Sequence, residues 1–92
     1  MTDIIWTPIA WEDFTEFVEN HEAKSIKQIF KLIKDIQRNG VDKGIGNPEP
    51  LKYEMSGYWS REITGKDRLV YRIDDNGVLH IVQCKTHYHK GK

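Results

Sequence analysis

Between Asn47 and His89, a glycine-punctuated, strand-like stretch carries Glu49, Lys52, Arg61, Arg68 and His87. These side-chain types suffice to cleave RNA without a metal. A carboxylate can take the proton of a ribose 2′-hydroxyl, an imidazolium can give one to the departing 5′-oxygen, and guanidinium groups can hold the phosphate between them. RNA supplies its own nucleophile, so no cofactor and no metal is called for. Glu49 stands between Pro48 and Pro50, whose rings fix their own φ and bias the residues before them to extended forms, so the loop should hold the carboxylate still. An ordinary glutamate, with a pKa of roughly 4, is a weak base at neutral pH, and burial would improve it. A histidine such as His87 titrates near neutrality without help. Arg68 offers a permanently charged planar fork that a lysine would not reproduce.

The elements that must position these groups are readable from periodicity. Asp3-Ile4-Ile5-Trp6 is a short β-like run, and Thr7-Pro8 reads as an N-cap followed by proline at the first helical position. Trp11, Phe14, Phe17 and Val18 recur at helical spacing, predicting a helix that buries an aromatic stripe and stops near Asn20-His21. A second helix, from about Glu22 to Asn39, lines Ile26, Ile29, Phe30, Ile33 and Ile36 along one face and ends at Asn39-Gly40. Lys24, Lys27, Lys31, Lys34 and Arg38 gather into a basic stripe beside that face. By default the stripe is a solvated surface. Its alternative use is contact with RNA phosphates.

From Gly40 to Pro50 the composition is that of a loop, and beyond it the pattern alternates. Tyr58–Ile63, Arg68–Ile73 and Val78–Lys85 read as strands, the last two joined by the hairpin signal Asp74-Asp75-Asn76-Gly77. The expectation is an α+β fold, with two amphipathic helices on one face of a mostly antiparallel four-stranded sheet and the other face free for a ligand.

Ninety-two residues make a single domain spanning 1–92. With 14 basic and 14 acidic side chains the formal net charge is zero, so RNA binding must come from local patches. The lone Cys84 cannot form an internal disulfide, and MTDIIW lacks the features of a secretory leader. No apolar run approaches the ~18 residues needed to cross a bilayer. A cytoplasmic protein with no membrane partner is expected.

Taken singly, each candidate has a plainer explanation: Glu49 a loop carboxylate, His87 a strand-end surface group, Arg61 and Arg68 charges that keep a sheet soluble. Alternation puts Arg61 with Trp59 and Ile63, and Arg68 with Val70 and Arg72, so a bulge or strand end is needed to bring both arginines to one surface. Trp6, Trp11, Trp59, Phe14 and Phe30 are expected in the core, whereas Tyr58, Tyr71 and Tyr88 could each stack on a splayed base. Cys84, His87, His89 and His80 lie close in sequence but lack the paired spacing of structural zinc sites.

Taken together, NPEPLKYEMSGYWSREI, DRLVYRI and the terminal THYH, with IIWT-x-x-AWEDF at the start, resemble the YoeB/Txe toxins of the RelE superfamily along nearly the whole chain. The ordered series is far more specific than any one piece. The resemblance implies a RelE-like fold and a ribosome-dependent endoribonuclease that cuts mRNA in the A site. Position by position, Glu49 resembles the general base, His87 the general acid and Arg68 the phosphate stabiliser, with Lys52, Arg61 and Tyr88 supporting the phosphate. The pattern departs at Glu62, where family members often carry a second arginine. Implied partners are the 70S ribosome, mRNA, a cognate YefM/Axe-like antitoxin, and DNA only through that antitoxin; a homodimer is common in the family. A ParE-like gyrase inhibitor and a non-catalytic RNA- or antitoxin-binding module are the competing classes, and neither needs the Glu49, Arg68 and His87 set.

Overall fold

A computed structural model describes residues 3–85 of the protein. Strand β1 (Ile4–Trp6) leads into helix α1 (Pro8–Glu19), which a short turn joins to helix α2 (Ala23–Asn39). A loop then reaches β2 (Glu49–Pro50) and a 3-10 turn (Tyr53–Met55), and the chain closes its sheet with β3 (Trp59–Glu62), β4 (Arg68–Ile73) and β5 (Leu79–Gln83).

Local chemistry accounts for the helices. Thr7 has extended backbone, its Oγ1 accepts the Ala10 N–H at 3.1 Å, and Pro8 opens α1 where a missing N–H costs nothing. The same hydroxyl donates to the Val82 carbonyl at 2.8 Å, tying the start of α1 to the far end of the chain. Helix α2 buries Ser25, Ile29, Leu32, Ile33 and Ile36, while Lys24, Lys27, Lys31, Lys34 and Arg38 are all exposed. Its sharp separation of apolar and basic residues is what drives one face onto the sheet.

The strand order is β1-β5-β4-β3-β2, with β1 parallel to β5 and every other pairing antiparallel. The sheet therefore has five strands, where alternation predicts four. The extra one is β2, at the end of the segment expected to be loop. Two residues are too few to display a period.

Leu69, Tyr71, Leu79, Ile81 and Ile63 on the sheet form one core with Ala10 and Phe17 of α1 and Ile29, Leu32, Ile33 and Ile36 of α2. Both helices thus cover the same face. Two aromatic expectations are corrected: Trp11 is 54% exposed and Phe30 49%. They belong to a ladder of ring contacts, Trp6 to Trp11 at 5.9 Å, Trp6 to Phe14 at 5.2 Å and Phe14 to Phe30 at 5.8 Å. The ladder starts on β1, the edge of the sheet, where only its inner members meet the core. Trp6, Phe14 and Trp59 are partly buried against that core, as expected.

Candidate active site

Register decides which charges share a surface. Glu49 on β2 lies opposite Ser60 on β3, Ser60 opposite Val70 on β4, and Glu62 opposite Arg68. Alternate residues of a strand point to one side, so Glu49, Ser60, Glu62, Arg68 and Val70 occupy the face turned away from the helices. On it Glu49 is exposed and Glu62 and Arg68 are half-buried, while Ser60 and Val70 between them are buried. In ideal sheet geometry two strand spacings and two residues separate the Cα atoms of Glu49 and Arg68, about 12 Å, a gap two long side chains can close around a phosphate.

Glu49 is exposed and Lys52, just after β2, is exposed as well. Asn47 adopts a left-handed φ of 53° before the Pro48-Glu49-Pro50 sequence, turning the loop into β2. Arg68 keeps 29% of its side chain exposed, and its Nη1 lies 3.3 Å from Glu62 Oε2. Asn47 Nδ2 donates to that same oxygen at 3.4 Å. Glu62 is therefore the counter-ion of Arg68 on this face. His87 and Tyr88, the expected acid and its phenolic neighbour, lie outside the described residues.

Arg61 is elsewhere, and the expectation that it grips phosphate is corrected. It shares the core side with Trp59, Ile63 and its cross-strand partner Leu69, and it is fully buried. Nε donates to Tyr71 Oη at 2.8 Å, Nη1 to Asp35 Oδ2 at 2.5 Å and to the Ile45 carbonyl at 3.1 Å, and Nη2 to the carbonyls of Gly40 at 2.9 Å and Lys43 at 2.7 Å. A guanidinium has five N–H groups. All five are used, and none remains for a substrate. Among the described strands the register shifts at Val70/Tyr71, between β4 and β5, which does not bring Arg61 to the face of Glu49.

The segment wrapped around this cation is the loop that delivers Glu49. Tyr71 Oη donates to the Val41 carbonyl at 2.6 Å, and the Ile45 N–H donates to Asp35 Oδ2 at 3.1 Å. At Gly44, with φ of 122°, an added Cβ would fall 1.7 Å from Asp35 Oδ2, and at Gly46, with φ of 82°, 2.7 Å from Leu32 Cδ2. Glycine is required at both by conformation and by space. Partial burial works against ionisation of Asp35, yet hydrogen bonds from Arg61, the Ile45 amide and Asn39 outweigh it and hold the carboxyl below its usual range. Burial pushes the Tyr71 phenol up, against the pull of Arg61. Tyr71 is also fully buried, so it is not the stacking surface that its type allowed.

Asp35 and Tyr71 are the residues whose part sequence reasoning missed. Two signals were present: Asp35 is the single acid in a helix with five basic residues, and alternation grouped Arg61 with Trp59 and Ile63. A buried arginine demands a counter-charge.

Other titratable groups lie off the site. The His80 ring, 2.9 Å from Asp74 Oδ2, and the backbone N–H of Val78 bring Asp74 down to about 2. Burial, reinforced by Asp13, pushes the Cys84 thiol up to about 12, which makes it a poor nucleophile. Among the described residues, no group of three or more His, Cys, Asp or Glu is placed to hold a metal ion. The basic stripe of α2 lies on the outer side of the helix layer, with the sheet between it and Glu49.

A helix pair covering one face of a five-stranded, mostly antiparallel sheet is a RelE-like α+β layout. Residues 6–88 match the family described as the YoeB-like toxin of bacterial type II toxin-antitoxin systems, and the chain belongs to that family. It is 47% identical over 87 residues to Toxin YoeB of Synechocystis sp., covering 95% of this chain and 98% of that one. Toxin YoeB of Escherichia coli is 42% identical over 85 residues, 92% of this chain and 98% of the relative. The structure of a YoeB-YefM complex from Staphylococcus aureus superposes with a TM-score of 0.85 at 45% identity, over 96% of this chain and 99% of that one. No helix among the described residues is long and apolar enough to cross a membrane.

Proposed function

We propose that this toxin is a ribosome-dependent endoribonuclease. Glu49 takes the 2′-hydroxyl proton, Arg68 and Lys52 stabilise the charge that gathers on the phosphate, and His87 protonates the leaving 5′-oxygen, with Tyr88 beside it. The products are a 2′,3′-cyclic phosphate and a 5′-hydroxyl end. The observation that carries this reading is the register that sets Glu49 and Arg68 on the one face, apart from the structural Arg61. The exposure of Glu49 fits an enzyme whose site is closed by its partner: burial around the base comes when messenger and ribosome cover the sheet.

Binding follows the same surface. A YefM-like antitoxin with an acidic segment would lie over Arg68 and Lys52 and order as it binds. The alternative contact, the exposed stripe of Lys24, Lys27, Lys31, Lys34 and Arg38, would meet ribosomal RNA phosphates from the other side of the molecule, as a docking surface separate from the cutting face. A dimer of this chain is a further proposal in line with the relatives.

The test is cleavage of messenger on programmed ribosomes, with the ends of the products identified. Glu49→Gln, Arg68→Ala and His87→Gln are expected to fold and to lose cleavage. Intact messenger with wild-type protein, accompanied by inhibited DNA supercoiling, would contradict the proposal.

A further inference from the structure

We propose that Tyr58 and Arg72 form a stacking platform for a nucleobase beside the scissile phosphate, a subsite of the cutting face that rests on the RNA-cleaving function proposed above. The Arg72 guanidinium carbon lies 5.9 Å from the centre of the Tyr58 ring. Both side chains are half-buried, so each keeps some surface for a further flat partner.

Their position follows from strand parity. Tyr58 immediately precedes β3 and shares a side with Ser60, while Arg72 is two residues along β4 from Val70. Both therefore stand on the face of Glu49 and Arg68. The row formed by Tyr58, Arg72 and the cross-strand neighbour of Arg72, His80, is next to the row of Glu49, Ser60 and Val70. Two residues along a strand advance about 7 Å. That step suits the next nucleotide of an extended single strand whose cleaved phosphate lies near Glu49 and Arg68.

Among the other described tyrosines and arginines, none offers an exposed pairing of this kind. Tyr71 is buried, Tyr53 is 86% exposed with no recorded ring or cation contact, Arg61 is engaged through all five N–H groups, and Arg68 has Glu62. Arg72 makes no side-chain hydrogen bond or ion pair with any described residue; the nearby carboxylate of Asp74 is taken by His80. A guanidinium plane resting on a phenol ring is a surface on which any base can stack, because every base has a π-face and the cation adds to the attraction. The ligand class is thus an unstacked base of single-stranded RNA, with purines favoured over pyrimidines by their larger overlap.

Two measurements test this. In the first, ribosome-bound messengers carry an abasic residue on either side of the cut. Loss of one particular base should raise the apparent KM on the order of tenfold for wild-type protein, and Tyr58→Leu should raise it similarly on intact messenger with no further loss on the abasic one. Tyr58→Phe, which keeps the ring, should behave as wild type. If removing either base leaves cleavage unchanged, or if Tyr58→Leu and the abasic lesion weaken it independently, the platform is refuted.

The second measurement needs no cleavage, so failure of the enzymatic proposal is distinguishable. Single-stranded RNA containing 2-aminopurine is titrated with the protein and its emission followed. Quenching by wild type and Tyr58→Phe, but not by Tyr58→Leu or Arg72→Glu, supports the platform. No quenching by wild type, or equal quenching by all four proteins, overturns it.

Discussion

Arg61 lies on β3 with no exposed surface and every N–H engaged, whereas Arg68, on the neighbouring strand β4, keeps 29% of its side chain exposed and has one carboxylate at 3.3 Å. The two are seven positions apart, and in the sequence they read as a pair of phosphate ligands. Their difference comes from parity alone: Arg61 is opposite Leu69 on the core side, Arg68 opposite Glu62 on the open side. One arginine organises the loop that leads into Glu49. The other keeps exposed surface on the face that Glu49 shares.

The largest expected effect is on folding. Arg61→Ala strips the counter-charge from Asp35 and releases the carbonyls of Gly40, Lys43 and Ile45, and should cost about 3–5 kcal/mol, a large part of the stability of a small domain. Urea unfolding followed by circular dichroism measures it. Arg68→Ala should move the same midpoint by no more than about 0.5 kcal/mol. An equal loss from both would break the comparison.

Next in size is the glycine that admits the clamp. Gly44→Ala places a Cβ on Asp35 and needs a φ that alanine disfavours, so a loss of about 1–3 kcal/mol is expected. Gly65, with open space around its added Cβ, is the control and should be near neutral.

Acid unfolding sharpens the same contrast. The Asp35 carboxyl sits below its usual value of 3.8 in the folded chain, so it favours folding above the unfolded value, and that contribution is lost as pH falls through the folded one. Asp74, lowered to about 2, acts in the same direction between roughly pH 4 and 2. Arg61→Lys, which keeps a charge but not the five-donor fork, should weaken the Asp35 component and leave that of Asp74. If stability of wild type and Arg61→Lys has the same pH dependence below pH 4, the guanidinium is not what holds Asp35 ionised.

The smallest effect concerns Glu62. Its pairing with Arg68 is solvent-accessible and worth about 0–1 kcal/mol, so Glu62→Gln should lower the KM for messenger by at most about fivefold while leaving the unfolding midpoint in place. A rise in KM would mean that Glu62 orients Arg68 rather than competing for it.

Much of this architecture is legible in the chain. Thr7-Pro8, the apolar face of residues 26–36 and Asp74-Asp75-Asn76-Gly77 each signal their element through short-range chemistry, and the structure has α1, α2 and the β4–β5 hairpin where they point. Three things escaped. Strand β2 is too short to carry a period. The exposure of Trp11 and Phe30 depends on the edge position of β1, which composition does not encode. The role of Arg61 depends on Asp35, 26 residues upstream, and on loop carbonyls between them. Alternation grouped Arg61 with Trp59 and Ile63, and only the tertiary contacts show that it is buried and what it does there. Of the proposed catalytic set, Glu49 and Arg68 are placed on one face, and His87 lies outside the described residues.

The most direct test pairs two readings on one preparation of Arg68→Ala: its unfolding midpoint and its cleavage of ribosome-bound messenger. An unchanged midpoint with cleavage reduced on the order of a hundredfold or more is the predicted result. Cleavage at the wild-type rate by the folded variant would contradict the assignment of the open face as the catalytic surface.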